Sequence, residues 1–440
     1  MIVGSIFILV NLLFLSYYFL FNKLSSFVFL ILLNFSVGRL FLIKIGFEYG
    51  PAYDILLILI INVVFLITSL KARTNNRMMW MFIVYTALFL SYMLINSVFQ
   101  NPEVNQFKLV KHYFWGEVFF LFIINSYNRI DEKVFDNFVL KFIFFYGVLG
   151  VLQFFVDPIS LLFRVYSYSW NGVETVVLPV NVYVGQNVVI GTFFRMANFG
   201  NLMGLLTVYI YSKKSINPQL FNSIFSTLGI LIALIAIALT GIRTSFLSTL
   251  LGLIAISFFH NKKVFYYSIL SVPLLIFYNI SMLMQMGVMG VSRSGSFDNP
   301  IQRILGVFYL FSSEDSYKKM TVTRSMNIMD EFLRNPLFGT GKYTSLFNMG
   351  ISSTTDASFL IMLIQHGIIG VGILFIPYFL LLSSLKRVNS TIYILFLVLF
   401  GMLLIQTITD KGLYEFIVNI FFWVMAAVNI IVYQTKKKVN

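Results

Sequence analysis

No cysteine occurs anywhere in the chain. That excludes thiol nucleophiles, thiolate metal sites, disulfides and a lipoprotein anchor, and it leaves the redox compartment open. Charge is also scarce: 11% of the 440 residues are Asp, Glu, Lys or Arg. A soluble domain carries about 25%, so most of this chain is not built to face water. There are only three histidines, His112, His260 and His366. No group of acidic residues with supporting histidines has metal-ligand spacing, so no metal is expected. No P-loop and no soluble nucleotide-binding segment is present, which argues against nucleotide-driven chemistry.

What the chain has instead is apolar length. Hydrophobic residues make up 59% of it and aromatic residues 18%, and the mean hydropathy is +0.87. A membrane-crossing helix takes about 20 apolar residues. By that measure the spans fall near residues 2–21, 26–43, 52–70, 78–98, 113–127, 138–156, 196–212, 221–240, 244–259, 264–283, 357–385, 389–409 and 415–433. The expected fold is an all-α integral membrane protein, a single polytopic domain over residues 1–440 with about 12–13 transmembrane helices. The first apolar run has no small-residue cleavage site and reads as a first span rather than a signal peptide.

The net charge of +14 resembles nucleic-acid binding until the charges are placed. Lys23; Lys71, Arg73 and Arg77; Arg129 and Lys133; Lys213 and Lys214; Lys262 and Lys263; Lys386 and Arg387; and Lys436–Lys438 all fall in alternate connections. The positive-inside rule makes that side cytoplasmic, with the N-terminus outside and the C-terminus inside. No nucleic-acid partner is expected. The opposite side holds two long loops, residues 157–195 and 284–356. The second contains Pro300–Phe311 and Thr321–Leu333, whose apolar spacing predicts short amphipathic helices at the membrane surface.

Three segments carry a family resemblance. NPLFGTGKY (Asn335–Tyr343) ends the second long loop and is followed by a helix reading D-A-S-F-L-x-x-L-x-x-x-G-x-x-G (Asp356–Gly370). GTFFRMANFGNLMG (Gly191–Gly204) closes the first long loop at Arg195, and TGIRTSFLSTLLGLI (Thr240–Ile254) is a short turn with an Arg that opens a helix. Taken in their order along the chain they resemble the O-antigen polymerase and ligase superfamily, a group of membrane glycosyltransferases with a GT-C-like arrangement of helices and two long outer loops. The ligases carry a His where this chain has Asp356, so the resemblance leans towards a polymerase.

The resemblance implies a reaction at the outer leaflet of a bacterial inner (plasma) membrane. A growing glycan leaves undecaprenyl diphosphate and is attacked by a sugar hydroxyl of the next lipid-linked repeat unit. The product is O-antigen or capsule. Partners would be undecaprenyl-diphosphate-linked oligosaccharides, membrane lipids and a chain-length regulator; no cofactor is implied. A ligase acting on lipid A-core, a lipid-linked-oligosaccharide flippase and a non-catalytic scaffold are the competing readings.

Each site residue has two readings. Arg195 and Arg243 stand where an outer loop meets a helix. They suit a departing diphosphate, because a guanidinium binds phosphate oxygens in pairs and stays charged; they equally suit headgroup anchoring. Arg324 and Arg334 could hold a second diphosphate or pair with Asp330 and Glu331, and Lys342 adds a cation in the glycine-rich turn. Asp356 is the candidate base, and TTDASF also makes it a helix N-cap. Gly339 and Gly341 permit tight turns or a close approach of phosphate to amides. Glu117 reads as an acidic residue near an outer helix end, after Lys108, Lys111 and His112. His366, about 15 Å along its helix from Asp356, reads as a core histidine. Arg195 and Arg243 are expected to approach Asp356.

Overall fold

The structure is a computed structural model that describes residues 9–33, 84–95 and 116–130 with interruptions, 131–156, 167–170, 173–176, 189, 196–267, 332–339, 358–409 and 416–439. Its long elements are helices: α1 (Leu24–Leu33), α2 (Glu132–Phe155), α3 (Met196–Ile216), α4 (Ser223–Leu239), α5 (Arg243–His260), α6 (Ser358–Val388), α7 (Ser390–Thr409) and α8 (Phe416–Val439). Among the described residues, four stretches are long and apolar enough to cross a membrane: Glu132–Phe155, Met362–Val388, Ser390–Ile408 and Ile417–Lys436. The protein is an all-α membrane protein. The exception to helix is a two-stranded antiparallel hairpin, β1 (Ser167–Trp170) with β2 (Val173–Val176), paired Ser167 to Val176 and Trp170 to Val173. It lies within residues 157–195, where a long loop without strands was expected. Asn-Gly at positions 171 and 172 is the sequence that most favours a two-residue hairpin connection.

Helix ends follow local chemistry. Asp131 caps α2 by accepting from the backbone N–H of Lys133 at 2.9 Å and of Val134 at 3.3 Å. Asn222 caps α4 through Ile224 and Phe225, both at 3.1 Å, and Asn389 caps α7 through Thr391 and Ile392. Each side-chain oxygen satisfies amides that a helix leaves without partners at its start. Helix α2 therefore begins at Glu132, six residues before the apolar run at 138, because the cap and not hydropathy sets the boundary.

The chain divides into two compact units, Met1–Ala72 with Asn125–Leu305, and Arg73–Ile124 with Gly306–Asn440. In the first unit α3 is the central helix, packed on α2, α4 and α5. It is buried on every side from Phe199 to Ile210. Small residues let its neighbours come close, as helices in lipid require. Gly200 and Gly204, four residues apart, lie against Ser245, Thr240 and Thr249 of the α4–α5 segment, and Gly147 of α2 lies against Ile232 and Ala233 of α4.

Lys213, expected in the connection after a span ending at 212, needs correction as a loop charge. Lys213 is inside α3, buried, and bonds Glu132 Oε1 at 2.7 Å with Asp136 Oδ2 at 3.7 Å. The Tyr209 hydroxyl donates to Asp136 Oδ1 at 2.7 Å. A lysine that low on a helix is tolerable in lipid only when paired, and two carboxylates of α2 pair it.

In the second unit α8 is the buried helix. Trp423 is fully enclosed, with Phe120, Tyr378 and Phe422 around it. The Tyr378 hydroxyl donates to Asn419 Oδ1 at 2.9 Å, tying α6 to α8. A core of Tyr85, Phe89, Met362, Val371 and Leu374 packs on the other part of α6.

Candidate functional site

The single apolar span expected at 357–385 is a broken helix. α6 runs from Ser358 to Val388 but is interrupted at Gly367, whose φ is 65° and ψ −177°. Only glycine takes that conformation readily, because any Cβ would strain it. The break frees the amides of the second half-helix, and they are not left open. Ile368 donates to the Pro336 carbonyl at 2.9 Å and Ile369 to the Leu337 carbonyl at 3.1 Å. The acceptors come from the NPLFG segment, some thirty residues earlier in the chain.

That segment is shaped for the task. Asn335 begins a turn in which the Gly339 amide donates to the Asn335 carbonyl at 2.8 Å and the Phe338 amide to Asn335 Oδ1 at 3.3 Å. Gly339 itself has a φ of 73°. A Cβ on Gly339 would lie 2.5 Å from the Gly367 nitrogen and 2.6 Å from the Gln365 carbonyl, and one on Gly367 would overlap the Leu337 carbonyl. Backbone therefore crosses backbone here, glycine against glycine. Tyr92 seals the crossing: its hydroxyl donates to the Phe338 carbonyl at 3.0 Å and lies at the His366 carbonyl. The Gly370 amide also faces this hydroxyl.

The glycine readings can now be separated. Gly339 makes the tight turn, and its amide is engaged within the segment, so it does not serve a phosphate. Gly341 lies outside the described residues. His366 is 0% exposed with its ring 5.9 Å from Phe89, a core position. Glu117, expected near an outer helix end, is near the start of the described helical stretch from 116 and is buried. It is 3% exposed, its Oε2 has no hydrogen-bond partner, and it lies within electrostatic range of Tyr85 and Tyr378.

In the first unit the two arginine-bearing segments pack on each other. Gly200 touches Ser245 and Thr240, and the Ser245 hydroxyl donates to Asn201 Oδ1 at 2.6 Å. Thr240 shapes the turn before α5 by accepting from the Ile242 amide at 3.1 Å and donating to the Ile237 carbonyl at 2.6 Å. Arg243 is the first residue of α5, as the turn-then-helix reading expects. The start of α3, directly after Arg195, is thus held against the start of the helix that Arg243 opens. Asn198 Oδ1 and Asn201 Nδ2 are buried there with no hydrogen-bond partner among the described residues.

Of the remaining expected site residues, Arg334 is exposed at the end of a helical turn, one residue before Asn335. Arg195, Arg324, Lys342 and Asp356 lie outside the described residues, as does the expected approach of Arg195 and Arg243 to Asp356. Among the described residues no group of three or more His, Asp or Glu side chains could hold a metal ion. The tight turn at Gly339 was expected; Tyr92, the role of Asn335 in that turn and the break at Gly367 were not. Their sequence signal is slight: Pro336, which has no amide to satisfy, and a glycine on each side of the crossing. No family model, curated protein or solved structure matches the chain.

Proposed function

We propose that the protein is an O-antigen or capsule repeat-unit polymerase of the bacterial inner membrane. It transfers a growing glycan from undecaprenyl diphosphate to the next lipid-linked repeat unit at the outer leaflet. The observation that carries the reading is the pairing of the resemblance segments. Asn335–Gly339 and Gly367–Gly370 meet through backbone hydrogen bonds, and Gly200–Asn201 meets Thr240–Ser245 through side chains. Residues that resemble a family only in their order along the chain are joined in space, two by two. Such contacts support a shared architecture more than independent short matches could.

In this reading Arg195 and Arg243 neutralise the diphosphate as it departs, where fixed cations in a partly dehydrated site are most effective. Asp356 takes the proton of the attacking hydroxyl. Arg334 and Lys342, with Arg324, hold the second lipid-linked substrate. The diphosphate is already the leaving group, so the chemistry draws on no cofactor.

One observation favours a second reading, a lipid-linked-oligosaccharide transporter. Broken helices and buried acidic residues are also the parts from which transporters build substrate and ion sites. The amides that a transporter would aim at its substrate are taken by Pro336, Leu337 and Tyr92 here, which weighs against it. Complementation of a polymerase-deleted strain separates the two, scored by surface glycan length on a gel. The wild-type chain should restore long glycans. Arg243→Ala or Asp356→Ala should lower polymer by about a hundredfold while single repeats still reach the surface. Loss of all surface repeats would favour the transporter, and undiminished polymer from both variants would overturn the mechanism.

A further inference from the structure

The segment around Asn335 was expected in an aqueous loop, yet its surroundings are those suited to hydrocarbon. Its partner on α6 is deep: Gly367 lies inside the apolar stretch Met362–Val388 and nine residues beyond Ser358, about 13 Å along the helix. Backbone satisfaction is the second sign. The carbonyls of Phe332, Asn335, Pro336, Leu337 and Phe338 each accept a hydrogen bond, and the amides of Asn335, Phe338 and Gly339 each donate one. Pro336 has no amide. Water would satisfy such groups in an ordinary loop. In hydrocarbon every unmet group costs several kcal/mol, so non-helical backbone survives there only when the protein itself supplies the partners.

The outward side chains are the third sign. Leu333 is 61% exposed, Leu337 53% and Phe338 47%, and the half-helix bonded to them presents Ile368 at 54% and Ile369. Five large apolar side chains directed away from the protein at one backbone crossing make a surface for acyl chains. Arg334, beside Leu333, has the long stem that lets a cation reach the headgroups from such a position. We infer that Leu333–Gly339 is a strap embedded in the membrane, and that Leu333, Leu337, Phe338, Ile368 and Ile369 form a surface in contact with the hydrocarbon of the bilayer. This does not depend on the polymerase reading.

The cysteine-free chain makes the test direct, because one introduced cysteine is the only thiol. Full-length Leu337→Cys and Phe338→Cys are nitroxide-labelled and reconstituted in phosphatidylcholine–phosphatidylglycerol liposomes. Collision with oxygen, which concentrates in hydrocarbon, is compared with collision with a water-soluble nickel chelate. Phe145→Cys, exposed in the middle of α2, is the lipid reference, and Lys133→Cys, exposed at its start, is the water reference. Both strap positions should match Phe145→Cys, with an oxygen-to-nickel ratio several-fold above that of Lys133→Cys. A ratio equal to that of Lys133→Cys at both positions overturns the inference. If one variant fails to insert, Leu333→Cys reads the same surface.

Discussion

Both units pair buried polar side chains, but only in the second do the described residues show a broken helix. Among the described residues the first keeps its helices whole and brings polar side chains into pairs: Lys213 with Glu132 and Asp136, Tyr209 with Asp136, Ser245 with Asn201. The second breaks a helix and repairs it with backbone from elsewhere in the chain, through Pro336, Leu337 and the Tyr92 hydroxyl. Side-chain pairs can be replaced one at a time by apolar groups of similar size. A backbone crossing has no such substitute, since each glycine is required by the other. The second unit should therefore be the less tolerant of the smallest changes.

Gly367→Ala tests that difference most severely. One methyl group enters a glycine-only conformation and overlaps the Leu337 carbonyl, so the strap must leave the break. The expected loss is more than about 4 kcal/mol, the size reserved for strained backbone and broken buried networks. In detergent the variant should lose its monodisperse elution peak. A wild-type profile would mean the break is soft and the contrast between the units is wrong.

Next is Lys213→Met in the first unit. It leaves Glu132 and Asp136 facing each other without their cation, and about 3 kcal/mol should be lost, as when one partner of a buried pair is removed. Adding Glu132→Gln and Asp136→Asn removes the orphaned charge and should restore most of the thermal stability. Restoration would show that pairing, not the lysine itself, is what the unit requires. If the triple variant is as unstable as Lys213→Met, the network has a role beyond charge balance.

These contrasts were unevenly legible in the sequence. Length and hydropathy alone are enough to locate α4, α5, α7 and α8 to within a few residues, because in lipid every backbone group must be satisfied within its own helix. The turn at Thr240 and the start of α5 at Arg243 were legible too, since a local threonine and glycine make them. Lys213 was misread because a lysine at the end of an apolar run looks the same whether it faces headgroups or a carboxylate eighty residues away. The break at Gly367 was hidden for the same reason. Its cause is a long-range backbone contact, and within Gln365–Gly370 nothing but glycine marks it. Glu117 shows the limit on the acidic side: neighbouring lysines suggested a surface, while the fold buries it within electrostatic range of Tyr85 and Tyr378.

Tyr92→Phe removes only a hydroxyl, but that hydroxyl spans both sides of the crossing. About 1–2 kcal/mol should be lost, seen as a lower midpoint in thermal denaturation of the purified protein. Tyr378→Phe removes a hydroxyl that holds only side chains, Asn419 and Trp423, in the same unit. It should cost less than Tyr92→Phe if the crossing is the more demanding place. Equal shifts would reduce Tyr92 to one more paired side chain of the kind found in the first unit.

The smallest expected effect has the opposite sign. Gly372 lies five residues beyond the break in α6, and a Cβ there meets nothing within 4 Å. A glycine in a helix interior loses more backbone entropy on folding than alanine does, by about 0.5–1 kcal/mol. Gly372→Ala should therefore leave the midpoint unchanged or raise it slightly, although it makes the same chemical change as Gly367→Ala in the same helix. Gly401→Ala in α7, equally unobstructed, is the matching control. If Gly372→Ala destabilises the protein as strongly as Gly367→Ala, then sensitivity belongs to α6 as a whole, and the backbone crossing is not its source. If only Gly367 is sensitive, the intolerance of this unit is confined to the place where the chain passes through its own helix.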